Sequence, residues 1–296
     1  MRETLHIYLH ESWRTAAEAG EVNLFNRMAR ALPDWRLRFH ADSEGERARA
    51  AARGFGLFHM HEPTAPTVLC LRRAYAYPFW RIEATNERWN FDVARADFDP
   101  ATVPEAARFH AAWRQRLLPG VGSRPEGFLF MPLQGILLRR RSFQSMSPVA
   151  MIEAVLAADP RPVRATLHPR EDYGPRERAA LEGLERRYPR FRVEQAPADR
   201  LLSGCDAVVT ENSSLAFRGC LLAKPAVLFA RIDFHHVAAM VHDLGVGGAL
   251  ARAAGPPPAF ARYLWWFWMR HAINAGAPDA EARIARRLAE HGWPVP

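Results

Sequence analysis

Short apolar runs alternate with helical segments throughout the part of the chain that follows Gly127. Apolar periodicity and flanking proline or glycine predict strands at 128–131, 163–167, 191–194, 207–210 and 226–229. The same criteria predict intervening helices at 147–158, 175–187, 197–203 and 214–223. Because parallel strands need long crossover connections, this alternation predicts an α/β fold with a parallel sheet covered by helices on both faces.

The chain is long enough for two domains, since 296 residues exceed one typical domain. Proline and glycine between positions 119 and 127 indicate a linker. The N-terminal part has a weaker strand and helix pattern, and no element is predicted within 78–92. We predict an N-terminal domain at 1–122, a C-terminal domain at 123–255, and C-terminal helices at 256–296 that pack across both domains. Two Rossmann-like domains are therefore the expected architecture.

The net charge of +8 raises the question of a polyanionic partner. The cations are spread along the chain, and Lys224 is the only lysine. The run Arg139-Arg140-Arg141 fits either a solvated face or contact with a nucleotide, a polyanionic glycan or an anionic membrane surface. Aromatic residues do not alternate with a basic stripe, so nucleic acid is not a predicted partner.

The remaining composition indicates a cytoplasmic protein. The three cysteines lack the spacing of a zinc site or a disulfide framework. The N-terminus lacks the apolar stretch of a signal peptide, and no window is long and apolar enough for a membrane span. The aromatic run FARYLWWFWMRH, at 260–271, fits either a helix packed across two domains or peripheral contact with the inner membrane.

Three polar turns follow predicted strands, and ligands of doubly wound sheets bind beyond the carboxyl ends of strands. They are PLQG at 132–135, HPR at 168–170 and TENSS at 210–214. In the third turn, Ser213 or Ser214 can cap the following helix while backbone N–H groups hold an anion. Capping alone is the other interpretation of these serines.

His168 stands before Pro169, which favours an extended conformation for the histidine. An imidazole at a strand end can donate a hydrogen bond to a phosphate oxygen and stabilise charge on a leaving nucleotide. A hydrogen-bonded structural histidine is the alternative for a single residue. The combination of the three turns favours the ligand interpretation.

Taken together, the stretches FMPLQG, ATLHPRED and LLSGCDAVVTENSSLAFRGCLLAKPAVLF resemble the capsule polysaccharide biosynthesis family. This family includes bacterial Kdo transferases of capsule export systems, with a strand followed by Gln, then K-x-HP, then T-x-NSS/T. The resemblance covers about residues 125–245. It implies a GT-B glycosyltransferase whose C-terminal domain holds a nucleotide-sugar donor.

The resemblance also implies roles for individual residues. The HP and Ser-Ser pair is similar to the donor sites of bacterial sialyltransferases that use CMP-sugars, so CMP is the nucleotide implied. His168 would contact the donor phosphate and act in catalysis, and Ser213 and Ser214 would bind phosphate or cytidine. The other donor-binding residues expected from the matched turns are Gln134, Pro169, Arg170, Thr210 and Asn212.

Three positions depart from the family pattern. Ile136 to Arg139 stand where an acidic residue usually follows the glutamine, and Thr166 replaces the lysine of K-x-HP. Arg218 stands where the helix after NSS/T commonly carries a glutamate. An arginine there can bind phosphate bidentately, so we include Arg218 among the expected donor-binding residues.

A glycosyltransferase of this type needs a general base for the acceptor hydroxyl, usually from the N-terminal domain. Glu11 and Glu62 are the candidates, since each follows a histidine at a predicted strand end. Ordinary loop residues are the alternative. No acidic pair suited to a metal stands at a strand end, so metal-independent transfer is expected and no cofactor is predicted.

The sequence thus predicts a glycosyltransferase that moves a sugar from a nucleotide donor, CMP-linked by resemblance, to a surface or capsular polysaccharide. The acceptor would be a glycan or glycolipid. A catalytically inactive nucleotide- or glycan-binding homologue is the alternative, because the acidic positions are missing. A polyanion binder is the third interpretation and depends on charge alone.

Overall fold

The computed structural model describes residues 3–99, 101 and 103–295, and the chain divides into two compact units. Unit 1 comprises 1–96 and 266–296, and unit 2 comprises 97–265. The strands are β1 (Thr4–Leu9), β2 (Arg36–Ala41), β3 (Gly56–His59), β4 (Val68–Arg73), β5 (Phe79–Glu83), β6 (Leu129–Pro132), β7 (Val163–Thr166), β8 (Phe191–Val193), β9 (Ala207–Thr210), β10 (Ala226–Leu228), β11 (Ala239–Met240) and β12 (Ile273–Asn274).

The helices cover the sheets and connect the strands. They are α1 (Glu11–Glu18), α2 (Asn23–Ala31), α3 (Glu44–Ala48), α4 (Ala50–Arg53), α5 (Asp92–Arg95), α6 (Ala106–Leu117), α7 (Pro148–Ala158), α8 (Pro175–Arg187), α9 (Ala198–Gly204), α10 (Ser214–Gly219), α11 (Val241–Ala254), α12 (Phe260–Trp265) and α13 (Ala280–Glu290). Short 3-10 turns at 88–90, 220–222 and 235–237 and a π-helical turn at 266–270 complete the elements.

The sheet of unit 1 has the order β2-β1-β3-β4-β5-β12. Strands β1 to β4 are parallel, whereas β5 and β12 are antiparallel to their neighbours. Side chains alternate between the two faces of β1 as a strand requires. Leu5 and Ile7 join one core, while Tyr8 packs with Phe58 and Val68 in a second cluster.

The sheet of unit 2 is wholly parallel, with the order β8-β7-β6-β9-β10-β11. This is a doubly wound order: the chain adds β7 and β8 on one side of β6, and then adds β9, β10 and β11 on the other side, so the strand order reverses between β6 and β9. Met131, Ala165, Val209 and Val227 from four strands pack with Ile152 of α7 in one core. The predicted α/β class with two Rossmann-like sheets is confirmed.

The units end at positions other than the predicted boundaries. Residues 97–122 belong to unit 2, because α6 packs against α12 and the turn at 220–222. The Nε2 atom of His110, in α6, lies 3.0 Å from the Cys220 carbonyl oxygen. The segment 256–296 is divided after Trp265, inside the aromatic run. The packing of its helices across both domains stays a prediction.

Two further features bear on the sequence predictions. The segment 78–92, for which no element was predicted, contains β5 and the 3-10 turn at 88–90, and α5 begins at its last residue. In the described residues, no helix combines the length and the apolarity that crossing a bilayer requires.

Candidate functional site

A cavity of about 560 Å³ opens at the carboxyl edge of the unit 2 sheet. It is lined by the turns that follow β6, β7, β8 and β9, and by one face of α8. The turns after β6 and β9 flank the point where the strand order reverses, which is where doubly wound sheets bind ligands. Gln134, His168, Pro169 and Ser213 all line this cavity. The structure therefore brings residues of the three predicted turns together.

His168 follows β7 and is half-buried. Its backbone N–H donates to the Tyr173 hydroxyl at 3.1 Å, and its ring Nδ1 accepts from the Arg170 N–H at 3.2 Å. Because Nδ1 carries the accepting lone pair, the proton of the neutral ring is assigned to Nε2. Nε2–H is then the donor that His168 has left for a ligand.

Ser213 is the N-cap residue of α10 and is only 3% exposed. Its backbone is extended, with φ −63° and ψ 137°, and its Oγ accepts from the Leu215 N–H at 3.3 Å. Capping uses the oxygen as acceptor, so the hydroxyl proton can still be donated. Ser214, the first residue of the helix, is exposed and does not line the cavity.

Gln134 follows β6 and is half-buried at the cavity wall. Its side-chain amide has no hydrogen-bond partner among the residues that the structure describes. The next residue, Gly135, has φ +63° and lies against the Arg141 guanidinium, whose Nη1 is 2.9 Å from the position of a Cβ. The positive φ is what favours glycine at this turn, because the flexible Arg141 side chain could move away from a Cβ.

Thr210 and Asn212 lie in the β9 turn without lining the cavity. Thr210 is fully buried, and its hydroxyl donates to the Pro132 carbonyl oxygen at 2.7 Å. This bond links the ends of β9 and β6 at the reversal point. Asn212 is 9% exposed. Thr210 thus fixes the geometry of the two turns that flank the site.

Glu211 is a buried carboxylate that the sequence interpretation did not single out. It is 2% exposed, its Oε2 lies 3.3 Å from Arg141 Nη2, and Oε1 has no partner in the described part of the chain. Burial raises the pKa of Glu211 to about 7, against the opposing effect of the Arg141 charge. A glutamate directly after a buried strand was the available signal in the sequence.

Arg170 and Arg218, the two arginines predicted to bind the donor, do not line the cavity. Arg170 is exposed next to His168. Arg218 directs Nη2 to the Asp199 carboxylate at 3.0 Å and to the Leu117 carbonyl oxygen at 2.6 Å. The Arg218 guanidinium therefore makes structural contacts here, and the structure does not bring it to the three turns.

Three glutamates in the cavity lining were missed in the sequence. Arg178, Leu181, Glu182 and Glu185 of α8 line the cavity at helical spacing, and Glu194 lines it after β8. Glu185 accepts from the Val193 N–H at 2.9 Å. The i, i+3, i+4, i+7 pattern in α8 was visible, but it equally describes a helix face packed on the sheet.

Glu11 and Glu62 lie in unit 1 and are both engaged in local contacts. Glu11 is exposed and pairs with Arg14 at 2.7 Å, and the hydrogen bond from Arg14 lowers the pKa of Glu11. Glu62 accepts from the Thr85 hydroxyl at 2.9 Å and from the Asn86 N–H at 2.6 Å. Across 3–99, 101 and 103–295, no group of three or more His, Cys, Asp or Glu side chains is arranged to hold a metal.

The two Rossmann-like units define the GT-B fold class. No protein-family model matches the sequence, and no curated protein matches it. Among solved structures, the chain is similar to the KpsC β-Kdo 2,7 transferase of Thermosulfurimonas dismutans, with 13% identity and a TM-score of 0.51 over 85% of this chain and 90% of that one. The predicted resemblance to Kdo transferases is thus confirmed in the fold.

Two further solved structures are similar at lower scores. The KpsC β-Kdo 2,4 transferase of the same organism has 13% identity and a TM-score of 0.45, with 89% of each chain covered. A complex of MnaA with UDP from S. aureus has 11% identity and a TM-score of 0.42 over 98% of this chain and 97% of that one.

Proposed function

We propose that this chain is a metal-independent glycosyltransferase that holds a nucleotide-sugar donor in the unit 2 cavity. The observation that supports this most is the presence of Gln134, His168 and Ser213 in one cavity at the reversal point of a parallel sheet. A volume of about 560 Å³ suits a nucleotide, since ligand pockets usually enclose about 300–1,000 Å³. The apolar residues Leu133 and Leu215 complete the lining.

In this proposal, polar side chains at the three turns bind the donor phosphate. His168 Nε2–H and the Ser213 hydroxyl donate to phosphate oxygens, and the Gln134 amide donates to the phosphate or the sugar. As the bond between the anomeric carbon and the phosphate oxygen breaks, these donors stabilise the negative charge on the leaving nucleotide. Thr210 contributes by holding the β6 and β9 turns at a fixed separation.

The proposed donor is CMP-linked, and the proposed acceptor is a surface or capsular glycan or glycolipid. Support comes from the HP and NSS motifs, which are similar to those of CMP-sugar transferases, and from the shared fold with a Kdo transferase. The proposal locates the protein in the cytoplasm, in peripheral contact with the inner membrane where a glycolipid acceptor is presented.

A nucleotide-binding homologue without catalytic activity is the second candidate function. Apolar residues occupy the positions after Gln134 where the family usually has an acid. Arg218, which replaces the family's glutamate, contacts Asp199 instead of the cavity. Both departures favour binding without turnover.

Calorimetric titration with CMP and with UDP tests donor binding, and hydrolysis of the corresponding nucleotide sugars tests turnover. Saturable binding together with hydrolysis supports the transferase, whereas binding without hydrolysis supports the inactive homologue. If neither nucleotide binds, the proposal is wrong.

Two His168 variants test the role of this side chain. In His168→Asn the amide oxygen can still accept from the Arg170 N–H, but no donor occupies the Nε2 position. We expect His168→Asn and His168→Ala to lower turnover about 10²- to 10³-fold with the fold intact by circular dichroism. His242→Ala, which removes an exposed histidine of α11, serves as the matched control. An unchanged rate in His168→Asn removes the proposed role.

A further inference from the structure

Two apolar side chains are exposed in the segment that follows β6 in unit 2. They are Ile136 and Leu138, which are 41% and 42% exposed. The residue between them, Leu137, is fully buried in the unit 2 core. Its N–H donates to Glu177 Oε1 at 2.7 Å, and its carbonyl oxygen accepts from the Val149 N–H at 3.1 Å. Leu137 therefore anchors the segment while both of its neighbours stay in contact with solvent.

The same segment contains the basic run Arg139-Arg140-Arg141, whose sequence fits several partners. Arg141 is engaged, since its guanidinium pairs with the buried Glu211. Arg139 and Arg140 are exposed, and no described residue forms a hydrogen bond or an ion pair with either guanidinium. The sequence has no acidic residue from position 133 to position 152. The positive charge of Arg139 and Arg140 is therefore not neutralised within this stretch.

The apolar side chains discriminate between the partners that fit the charge. A nucleotide or a soluble polyanionic glycan can satisfy the arginines, but neither offers an apolar surface that covers Ile136 and Leu138. An anionic bilayer offers both, because lipid phosphates bind guanidinium groups and the boundary with the acyl chains accepts apolar side chains. Single exposed aliphatic residues are common on protein surfaces. Two of them beside two unpaired cations favour a membrane surface.

Backbone contacts hold this segment at the edge of the sheet where the cavity opens. Gln134, which lines the cavity, stands only two residues before Ile136. Beyond the basic run, the Ser145 N–H donates to the Phe229 carbonyl oxygen at 2.6 Å. Phe229 directly follows β10, so this bond connects the segment to the carboxyl edge of the unit 2 sheet. The exposed side chains and the cavity therefore belong to the same edge of one unit.

We propose that residues 136–140 contact the surface of an anionic membrane. Ile136 and Leu138 enter the boundary between the head groups and the acyl chains. Arg139 and Arg140 bind lipid phosphates, while the apolar stems of their side chains lie along the same boundary. The inference rests on the proposed function, because a glycolipid acceptor is presented at such a surface. Contact through this segment keeps the donor cavity of unit 2 at the membrane.

Co-sedimentation of the full chain with lipid vesicles tests the inference. We expect the protein to bind vesicles made of equal parts phosphatidylcholine and phosphatidylglycerol. Binding to vesicles of phosphatidylcholine alone should be at least about 10-fold weaker, since these lack the negative surface potential. Added salt should weaken binding to the mixed vesicles, because it screens the arginines from the lipid phosphates. If the protein does not bind the mixed vesicles, or binds both kinds equally, the inference is overturned.

Two double variants separate the basic from the apolar contribution. Arg139→Gln with Arg140→Gln should lower the partition coefficient about 10- to 30-fold, since each cation near an anionic surface contributes about 5-fold. Ile136→Ser with Leu138→Ser keeps the charge and should lower it at least about 10-fold. If only the arginine variant binds more weakly, the partner is a polyanion recognised by charge. If only the serine variant or neither variant does, the basic contact is absent. Each of these results overturns the inference.

Matched controls remove similar side chains elsewhere. Arg186→Gln with Arg187→Gln removes two exposed cations at the end of α8. This end leads into β8, so it lies at the amino edge of the unit 2 sheet. Met60→Ser removes an apolar side chain of unit 1 that is 46% exposed. Both controls should bind mixed vesicles as the parent does. Losses as large as those of the segment variants would show that residues 136–140 are not the contact.

Titration of the same variants with CMP and with UDP separates this inference from the proposed function. We expect every variant to be folded by circular dichroism and to bind nucleotide as the parent does. A parent that binds nucleotide but not mixed vesicles overturns the membrane contact and leaves the proposed function intact. A parent that binds mixed vesicles through this segment but binds neither nucleotide supports the contact and contradicts the proposed function.

Discussion

Neutralising Glu211 should remove a large pH dependence from the stability of unit 2. The carboxylate is 2% exposed, and burial raises its pKa from the usual 4.5 to about 7 in the folded protein. At low pH the group is protonated in both the folded and the unfolded state, so it contributes no penalty. As the pH rises from 4.5 to above 7, the unfolded state releases the proton first, and the folded state becomes progressively less favoured.

The size of this effect follows from the interval between the two pKa values. At about 1.36 kcal/mol per pH unit, the penalty reaches about 3 kcal/mol of unfolding free energy above about pH 8. Glu211→Gln lacks this titration. The stability of the variant relative to the parent should therefore increase by about 3 kcal/mol between about pH 4.5 and about pH 8. Arg141 is 34% exposed and can be solvated when its partner is neutral.

Urea unfolding of parent and variant at several pH values measures this difference, with the denaturant slope checked for constancy. Glu182→Gln is the matched control, since the Glu182 side chain is 65% exposed and its nearest cation, Arg186, is 3.9 Å away. It should follow the parent at every pH. If Glu211→Gln also follows the parent, the carboxylate titrates normally and the argument from burial is refuted.

Two further substitutions test the contacts that support each unit. Thr210→Val removes the hydroxyl that donates a hydrogen bond to the Pro132 carbonyl oxygen, and urea unfolding should show a decrease of about 1–3 kcal/mol in the free energy of unfolding. No decrease would mean that this bond does not hold the β6 and β9 turns together. Arg287→Met removes the partner of the buried Glu83, 2.8 Å away, and should lower the free energy of unfolding by about 3 kcal/mol at about pH 8. The control Arg286→Met replaces a side chain that is 66% exposed and should lower it by less than about 1 kcal/mol. Equal losses in the two variants would contradict the importance of burial.

The fold of unit 2 could be predicted because its signals are local. Strands β7, β8, β9 and β10 were expected within one residue of their observed ends, since buried strands are apolar runs and polar turns end them. The convergence of Gln134, His168 and Ser213 follows from the same pattern, because carboxyl ends of parallel strands meet at one edge. The sequences of the turns were therefore sufficient to predict where the cavity lies.

The unit boundaries were not predictable, because they depend on contacts between distant segments. Proline and glycine at 119–127 mark turns, but α6 lies before them and packs against α12, more than a hundred residues later. The boundary within the aromatic run, after Trp265, also depends on contacts with distant segments and not on the local sequence. Local proline and glycine residues do not distinguish a turn within a unit from a boundary between units.

Side-chain direction was the other feature that sequence reasoning could not supply. Arg218 was expected at the donor phosphate, yet Asp199 and the Leu117 carbonyl oxygen hold it elsewhere. The sequence of residues 136–141 likewise does not show that Leu137 is buried while Ile136 and Leu138 are exposed, since exposure depends on which elements pack against the segment.

A crystal structure of the protein with bound CMP tests the central proposal most directly. We expect the phosphate to lie in the unit 2 cavity, with its oxygens about 3 Å from His168 Nε2 and from Ser213 Oγ. Nucleotide bound at another place, or a phosphate remote from both side chains, would contradict it.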